Sequence, residues 1–418
     1  MPKSDILIHT DSSFVADKCQ ISDSTELESI LFLGYLPPVN QLIPIGEHPK
    51  EQPSFPAELL YCEKSYLAQL GLIVNSRILF PLEYPYTSST TKILRDNFCE
   101  LYDELTSLYD LDENDLVIDI GSNDGNLLSN FQHKHKILGI TPEKIGHTAI
   151  KNGIPTIIDY FSRDVVNDIL INYGKAKIIT ATNVFAHIDN INEVVDLIDD
   201  LLIDDGIFIS ESHYLVSLIN NLQYDTIYHE HLRYYSLNSL NYLFEKHNLE
   251  IINAKKIPTH GGSIRVYVAR KGVFSINNNV KIIIDEELKE LSMDKFKKFR
   301  DRVILSKLKL YGHLLDIKKG GSKIYGIGAP SRATTLINYV GIDHGILDCV
   351  LEISGSQKIG HYIPGTKIPI LDESLLFEDQ PEFALILSWH IAEELISKLN
   401  KKGFSGKYII PLPEPIIM

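Results

Sequence analysis

Between Leu116 and Glu211, short apolar runs alternate with longer segments whose apolar residues recur every three or four positions. The runs cover Leu116–Ile120, Lys136–Ile140, 156–158, 178–182 and 206–211, each long enough to cross a sheet once. Such alternation predicts a mainly parallel sheet with helices on both faces. Upstream, the pattern turns helical from Thr91 to about Tyr109. Residues 1–75 are turn-rich and non-helical, a small domain of a size that normally needs a staple. Segment 284–318 is helical and heavily charged, and predicts a solvated connecting helix. After Gly320-Gly321-Ser322 the chain restarts with a strand and turn at Lys323–Gly328. Runs at 347–351 and 383–388 complete a second α/β unit. The expected domains are 1–75, 76–283, a connecting helix over 284–320, and 321–418.

The first run leads into Asp119-Ile120-Gly121-Ser122-Asn123-Asp124-Gly125. Two glycines let the backbone turn sharply beside a ligand, and a helix opening after Gly125 would offer unpaired N–H groups. The spacing D-x-G-x-x-x-G is neither the dinucleotide fingerprint nor a P-loop. It looks like the first motif of class I S-adenosylmethionine-dependent methyltransferases, with an ordinary structural turn as the alternative. Ligands of such sheets bind beyond the carboxyl ends of the strands. The further ends here are Thr141-Pro142-Glu143, Asp159-Tyr160-Phe161, Asn183–His187 and Ser212-His213. An acid usually meets the ribose hydroxyls at the second of these ends. This chain has Thr141, with Glu143 placed to reach back.

Composition narrows the partners. The chain has 418 residues, enough for two or three domains, and a formal net charge of −15 that disfavours nucleic acid and anionic membranes. No apolar run reaches about 18 residues, and no segment of signal-peptide type leads the sequence, so a cytoplasmic location is expected. Cys19-Gln20-Ile21-Ser22 and Cys62-Glu63-Lys64-Ser65 read as two C-x-x-C pairs with the second cysteine replaced by serine. Two thiolates do not make a four-thiolate zinc site. Zinc would need a recruited ligand such as His9, and two buried cysteines acting as small hydrophobes is the preferred reading.

Reactive side chains are densest in Tyr224-Asp225-Thr226-Ile227-Tyr228-His229-Glu230-His231-Leu232-Arg233-Tyr234-Tyr235. The H-E-H spacing is not that of a zincin helix. Core hydrogen bonding and proton chemistry by a histidine are both open. In Thr259-His260-Gly261-Gly262-Ser263-Ile264-Arg265, Arg265 could pair with a phosphate or carboxylate, or lie exposed on a Gly-Gly hairpin. The G-x-G-A-P turn at Gly326–Pro330 lacks the third glycine of an NAD site. Lys358–Gly365 offers a basic loop for a phosphorylated substrate, and Trp389-His390 follows a strand end.

In this order, these blocks resemble the sugar C-methyltransferase family acting on nucleotide-linked 4-keto-deoxy sugars. The resemblance runs nearly end to end through L-G-x-x-P-x-x-N, D-I-G-S-N-D-G, D-T-I-Y-H-E-H-L, H-G-G-S-I-R-V, Y-G-x-G-A-P and K-x-G-x-Y-x-P-G. It implies a class I methyltransferase-type Rossmann-like sheet between a small zinc-ribbon-like N-terminal domain and a C-terminal α/β substrate domain. It implies S-adenosylmethionine as methyl donor, with S-adenosylhomocysteine released, and His231 as the base removing the sugar C3 proton. Tyr228, Glu230, His187 and Tyr86 would line the sugar site and stabilise the enolate. Asp119, Gly121, Ser122, Asn123, Gly125, Thr141, Asp159, Phe161, Asn183 and Phe185 would hold the cofactor. His229, His260, Arg265, Arg332, Lys358 and Tyr362 would hold the substrate.

The chain departs from the family in its half-missing cysteine set, in Thr141 for the acid of the G-x-E-P segment, and in Pro330-Ser331-Arg332 for a more usual Ala-Lys pair. No bound metal is expected. The expected partner is a nucleotide-linked sugar, with no nucleic acid or membrane, and the chain is expected to act as a monomer. Two alternatives stand beside this reading: a silent sugar-binding or scaffold homologue, and an NAD-dependent sugar oxidoreductase.

Overall fold

The computed structural model describes residues 12–47, 52–80, 89 and 91–418. Its largest sheet has seven strands in the order Leu249–Ile257, Ser263–Arg270, Leu202–His213, Ala176–Thr182, Leu116–Ile120, Lys136–Ile140, Thr156–Ile157. Pairing is parallel from Leu202–His213 out to Thr156–Ile157. Only Ser263–Arg270 runs against both its neighbours. Every residue of Leu116–Ile120 is buried, because helices cover both faces and leave no solvated side. The result is the expected α/β fold with a Rossmann-like, parallel-rich central sheet.

The glycine turn differs from expectation. No α-helix opens after Gly125; the chain makes a single 3₁₀ turn at Leu128–Asn130. The Ser129 hydroxyl donates to Asn126 O, and the Asn130 amide donates to Asn126 O and Leu127 O. These local bonds take carbonyls that a helix would use, so polar side chains win over the helical ladder.

The charged segment is not a solvated connector either. It forms two helices, Asn278–Glu290 and Met293–Lys319, separated at Leu291–Ser292. Phe296, Phe299, Val303, Leu310 and Leu314 are buried in the main core, and Phe296 packs on Tyr61 with ring centroids 4.6 Å apart. Glu287, 1 % exposed, accepts from the N–H groups of Leu237 and Asn238 and so caps the Leu237–Lys246 helix. Charge along the outer face hides an apolar stripe facing inward.

At the N-terminal end, Glu28–Leu36, Phe55–Cys62 and Leu67–Leu70 form an antiparallel sheet. Arg233–Tyr234 adds its fourth strand by pairing with Leu67–Leu70. The polar segment singled out in the sequence is therefore stitched into the small domain. Cys19 Sγ lies 3.1 Å from Ser65 Oγ and Cys62 Sγ 3.5 Å from Ser22 Oγ, so the four C-x-x-S positions meet crosswise.

The C-terminal sheet orders Ile370–Asp372, Cys349–Glu352, Ile324–Ile327, Phe383–Ile386, Lys407–Ile410 and Ile416–Ile417, parallel except for the last pair. Its His361–Tyr362 segment pairs with Ile43–Pro44, which ties it to the N-terminal part. Among the described residues no helix is long and apolar enough to cross a membrane.

Candidate active site

Four imidazoles line up beyond the carboxyl ends of the central strands. The His231 ring lies 5.0 Å from those of His187 and His213, and His213 lies 5.4 Å from His260. His187 follows the strand Ala176–Thr182, His213 ends the neighbouring parallel strand, and His260 sits on the antiparallel hairpin beside them. Tyr228 packs against His231 at 4.2 Å between ring centroids. His213 was noted in the sequence only as a strand end; no local pattern ties it to His231.

Hydrogen bonds fix which nitrogen of His231 is free. Its Nδ1 donates to Thr226 O at 2.8 Å, and Tyr234 Oη donates to the same carbonyl at 3.2 Å. The Nδ1–H tautomer leaves the Nε2 lone pair as the available base. His187 is held the same way, with Nδ1 against Glu230 O. Burial first, then the neighbouring His187, holds the His231 pKa well below the usual histidine value. Burial also lowers His187, and pushes His260 down to about 4. The row is therefore neutral near pH 7 and able to accept a proton. Burial pushes the Tyr228 phenol well above its ordinary value, keeping it a hydrogen-bond donor.

Glu230 is buried and its Oε1 accepts from Asn40 Nδ2 at 2.7 Å, while Ser331 Oγ donates to Asn40 Oδ1 at 3.3 Å. One chain of bonds thus runs from the H-E-H segment through Asn40 of the N-terminal part to the C-terminal turn. Asn40 belongs to the L-G-x-x-P-x-x-N block, whose role only this contact reveals. Tyr86 lies outside the described residues.

Several expected substrate groups face inward instead. Arg265 is fully buried; its Nε meets Glu211 Oε1 at 2.6 Å, its Nη1 meets Glu104 Oε2 at 2.8 Å, and its Nη2 meets Asn97 Oδ1 at 2.9 Å. Arg265 does pair with carboxylates, but those of the protein itself, which corrects its expected use as a substrate contact and the alternative of an exposed arginine on a hairpin. Arg332 is bidentate to Asp225, with Trp389 Nε1 donating to the same carboxylate at 2.7 Å. His229 Nε2 donates to Pro56 O at 3.2 Å, and Lys358 Nζ donates to Ala329 O at 2.7 Å. Tyr362 Oη accepts from Gly46 N at 3.4 Å. His390 has a buried Nδ1 with no partner among the described residues.

The glycine turn is the expected cofactor side. Gly121 and Gly125 hold φ of +76° and +80°, and Asn123 holds +50°. Asp119 is buried, its Oδ1 accepting from Thr180 Oγ1 at 2.6 Å, and burial raises its pKa to about 7. Phe185 is likewise directed into the core, stacked on Phe244 at 6.1 Å. Asp159 is exposed and accepts from Tyr160 N, and Phe161 is half-buried against the main core. Asn183, also left-handed at φ +58°, stands beside the turn's Gly121 through its neighbour Val184. Ser122 Oγ is buried without a partner among the described residues. A left-handed turn at a strand end, with a buried unpartnered hydroxyl, fits a polar nucleoside-type ligand. Among the described residues no cluster of three or more His, Cys, Asp or Glu has the placement to hold a metal ion.

Three family models cover most of the chain. "Putative zinc binding domain" matches 19–80, "Methyltransferase domain" matches 93–254, and "C-methyltransferase C-terminal domain" matches 258–413. A curated relative, C-methyltransferase NovU of Streptomyces niveus, is 29% identical over 413 residues, spanning 96% of this chain and 97% of its own. Among solved structures, magnesium protoporphyrin IX methyltransferase of Synechocystis PCC 6803 with bound SAM aligns at 13% identity and a TM-score of 0.32. It covers 42% of this chain and 79% of that one. A S-adenosylmethionine-dependent methyltransferase of Clostridium acetobutylicum aligns at 16% identity and 0.30, covering 42% and 99%. The matched domains, on this α/β fold, mark a methyl-transferring enzyme. With the matched families and the near full-length relative, the chain is an S-adenosylmethionine-dependent C-methyltransferase.

Proposed function

We propose that the enzyme methylates C3 of a nucleotide-linked 4-keto-6-deoxy sugar. The observation carrying this reading is the neutral, buried His231 with Nδ1–H committed to Thr226 O and Nε2 free, next to the Tyr228 phenol. A carbon acid is acidic enough for histidine only when a carbonyl stands beside it, which a 4-keto sugar supplies at C3. His231 Nε2 takes the C3 proton, and the electron pair moves into the C3–C4 bond and onto the ketone oxygen. Tyr228 donates its phenol proton to the developing oxyanion, while His187, its Nδ1–H committed to Glu230 O, lines the pocket beside His231. The bound methyl donor supplies an electrophilic methyl on a sulfonium. Asn40 and Ser331 hold Glu230, which keeps the H-E-H segment in register with the C-terminal turn. Gly121, Ser122, Asn123 and Gly125 are the residues that would hold the donor.

The test is mass spectrometry of products from a panel of nucleoside-diphosphate 4-keto-6-deoxy sugars. The expected result is a gain of one methyl on at least one of them, with loss of solvent-exchangeable deuterium from C3. His231→Asn should lower turnover about 10²- to 10⁴-fold while S-adenosylhomocysteine still binds. Near-normal turnover in that variant rejects His231 as the base.

A further inference from the structure

Thr141 stands just past the Lys136–Ile140 strand, where open α/β sheets direct a carboxylate to the ribose of a bound nucleoside. Its hydroxyl cannot serve the ligand: the residue is fully buried and Oγ1 donates to Glu143 Oε2 at 2.8 Å. The rotamer is pinned from the other side. A Cβ on Gly146 would lie 2.6 Å from Thr141 Cγ2, so the following helix packs closely on the methyl side while the hydroxyl faces Glu143. Glu143 is half-buried and also hydrogen-bonded to Asn123, the left-handed residue of the glycine turn. The carboxylate therefore bridges the second strand end and the cofactor turn, about twenty residues beyond that turn as the general arrangement requires.

We propose that Glu143 receives the ribose diol of the methyl donor, with Thr141 and Asn123 as positioning residues that hold its carboxylate at the strand end. Displacing the acid by two residues and adding a threonine clasp reproduces the usual contact from a sequence that lacks the usual acid. Thr141 thereby leaves the set of direct cofactor contacts and becomes the support for one. The two bonds also stabilise the charged form of Glu143 against the upward push of burial. An ionised carboxylate accepts from both ribose hydroxyls, which a neutral side chain at 143 would not do.

Isothermal calorimetry with S-adenosylhomocysteine and its 2′-deoxy analogue tests this directly. Wild type should bind the deoxy analogue about 10- to 100-fold more weakly, as expected for a lost bond to a charged group. Glu143→Ala should bind S-adenosylhomocysteine weaker by a similar factor and lose the preference between the two ligands. Glu143→Gln, which keeps the size, should fall in the same direction if the alanine variant fails to fold. Thr141→Val should weaken binding several-fold and Thr141→Ser should restore it, because only the serine keeps the donor. The proposal is overturned if Glu143→Ala or Glu143→Gln binds within about two-fold of wild type, or if either still discriminates between the ligands. Failure of wild type to bind S-adenosylhomocysteine at all would also overturn it.

Discussion

Arg332 grips Asp225 with two parallel hydrogen bonds, Nε to Oδ2 at 2.7 Å and Nη2 to Oδ1 at 2.8 Å, across 107 residues of sequence. The guanidinium also lies over the Trp389 ring, 4.7 Å from its centroid, while Trp389 Nε1 binds the same carboxylate. Asp225 is fully buried and precedes Thr226, whose carbonyl sets the tautomer of His231. The C-terminal part thereby anchors the segment that carries the base. Removing one partner of a buried pair leaves a charge uncompensated. Arg332→Met is expected to destabilise the protein by about 3–5 kcal/mol. Trp389 is the only tryptophan, so its emission during urea unfolding reports this region alone. An unchanged midpoint would contradict the clamp.

Acid should destabilise the protein from about pH 6.5 downward. His187, His213, His229, His231, His260 and His390 all have pKa values lowered by burial first. Above about 6.5 each is neutral in both folded and unfolded chains, so it adds no pH dependence. Below that, the unfolded chain binds protons that the folded one refuses, and stability falls by about 1.4 kcal/mol per pH unit for each such histidine. Thermal melts at pH 7.5, 6.5 and 5.5 check this, a flat profile between the last two being the contrary result. On the proposed mechanism, the acid limb of kcat/KM also lies below pH 6.5, because His231 must be neutral to act.

The small N-terminal domain should not depend on zinc. Two thiols and two hydroxyls occupy the four crossed positions, and serine oxygen is a poor zinc ligand. A chelator is expected to leave the melting temperature of the wild type unchanged. The double variant Ser22→Cys with Ser65→Cys restores four sulfurs at those positions. It should retain stoichiometric zinc by elemental analysis and lose stability on chelation. Stoichiometric zinc in the wild type would refute this.

Gly121→Ala should damage the cofactor turn. Its Cβ would lie 2.2 Å from Val184 Cγ2, on a backbone with φ of +76°. The expected cost is about 1–3 kcal/mol of stability with weaker S-adenosylhomocysteine binding in calorimetry. Adding Val184→Ala should relieve the clash but not the backbone strain, so recovery should be partial. Full recovery would mean that the left-handed conformation has no role.

The sequence alone determined the alternating elements, the glycine turn and the run of reactive side chains from Tyr224 to Tyr235. These are local properties: apolar spacing follows from the period of strand or helix, and a turn from its own glycines. Tertiary structure decided which polar groups are free. Arg265 and Arg332 have the residue type of anion-binding groups, yet Glu211 and Asp225, 54 and 107 residues away, take up their donors. The helix expected after Gly125 was lost to nearby side-chain bonds, and the charged 284–318 segment was pulled inward by an apolar stripe with distant partners. Thr141 and Glu143 are two residues apart in sequence, but the tight approach at Gly146 and the bond from Asn123 give them their separate roles. Burial and hydrogen-bond partners depend on the whole packed chain, so a residue's type fixes its chemistry while its neighbours in space fix its use.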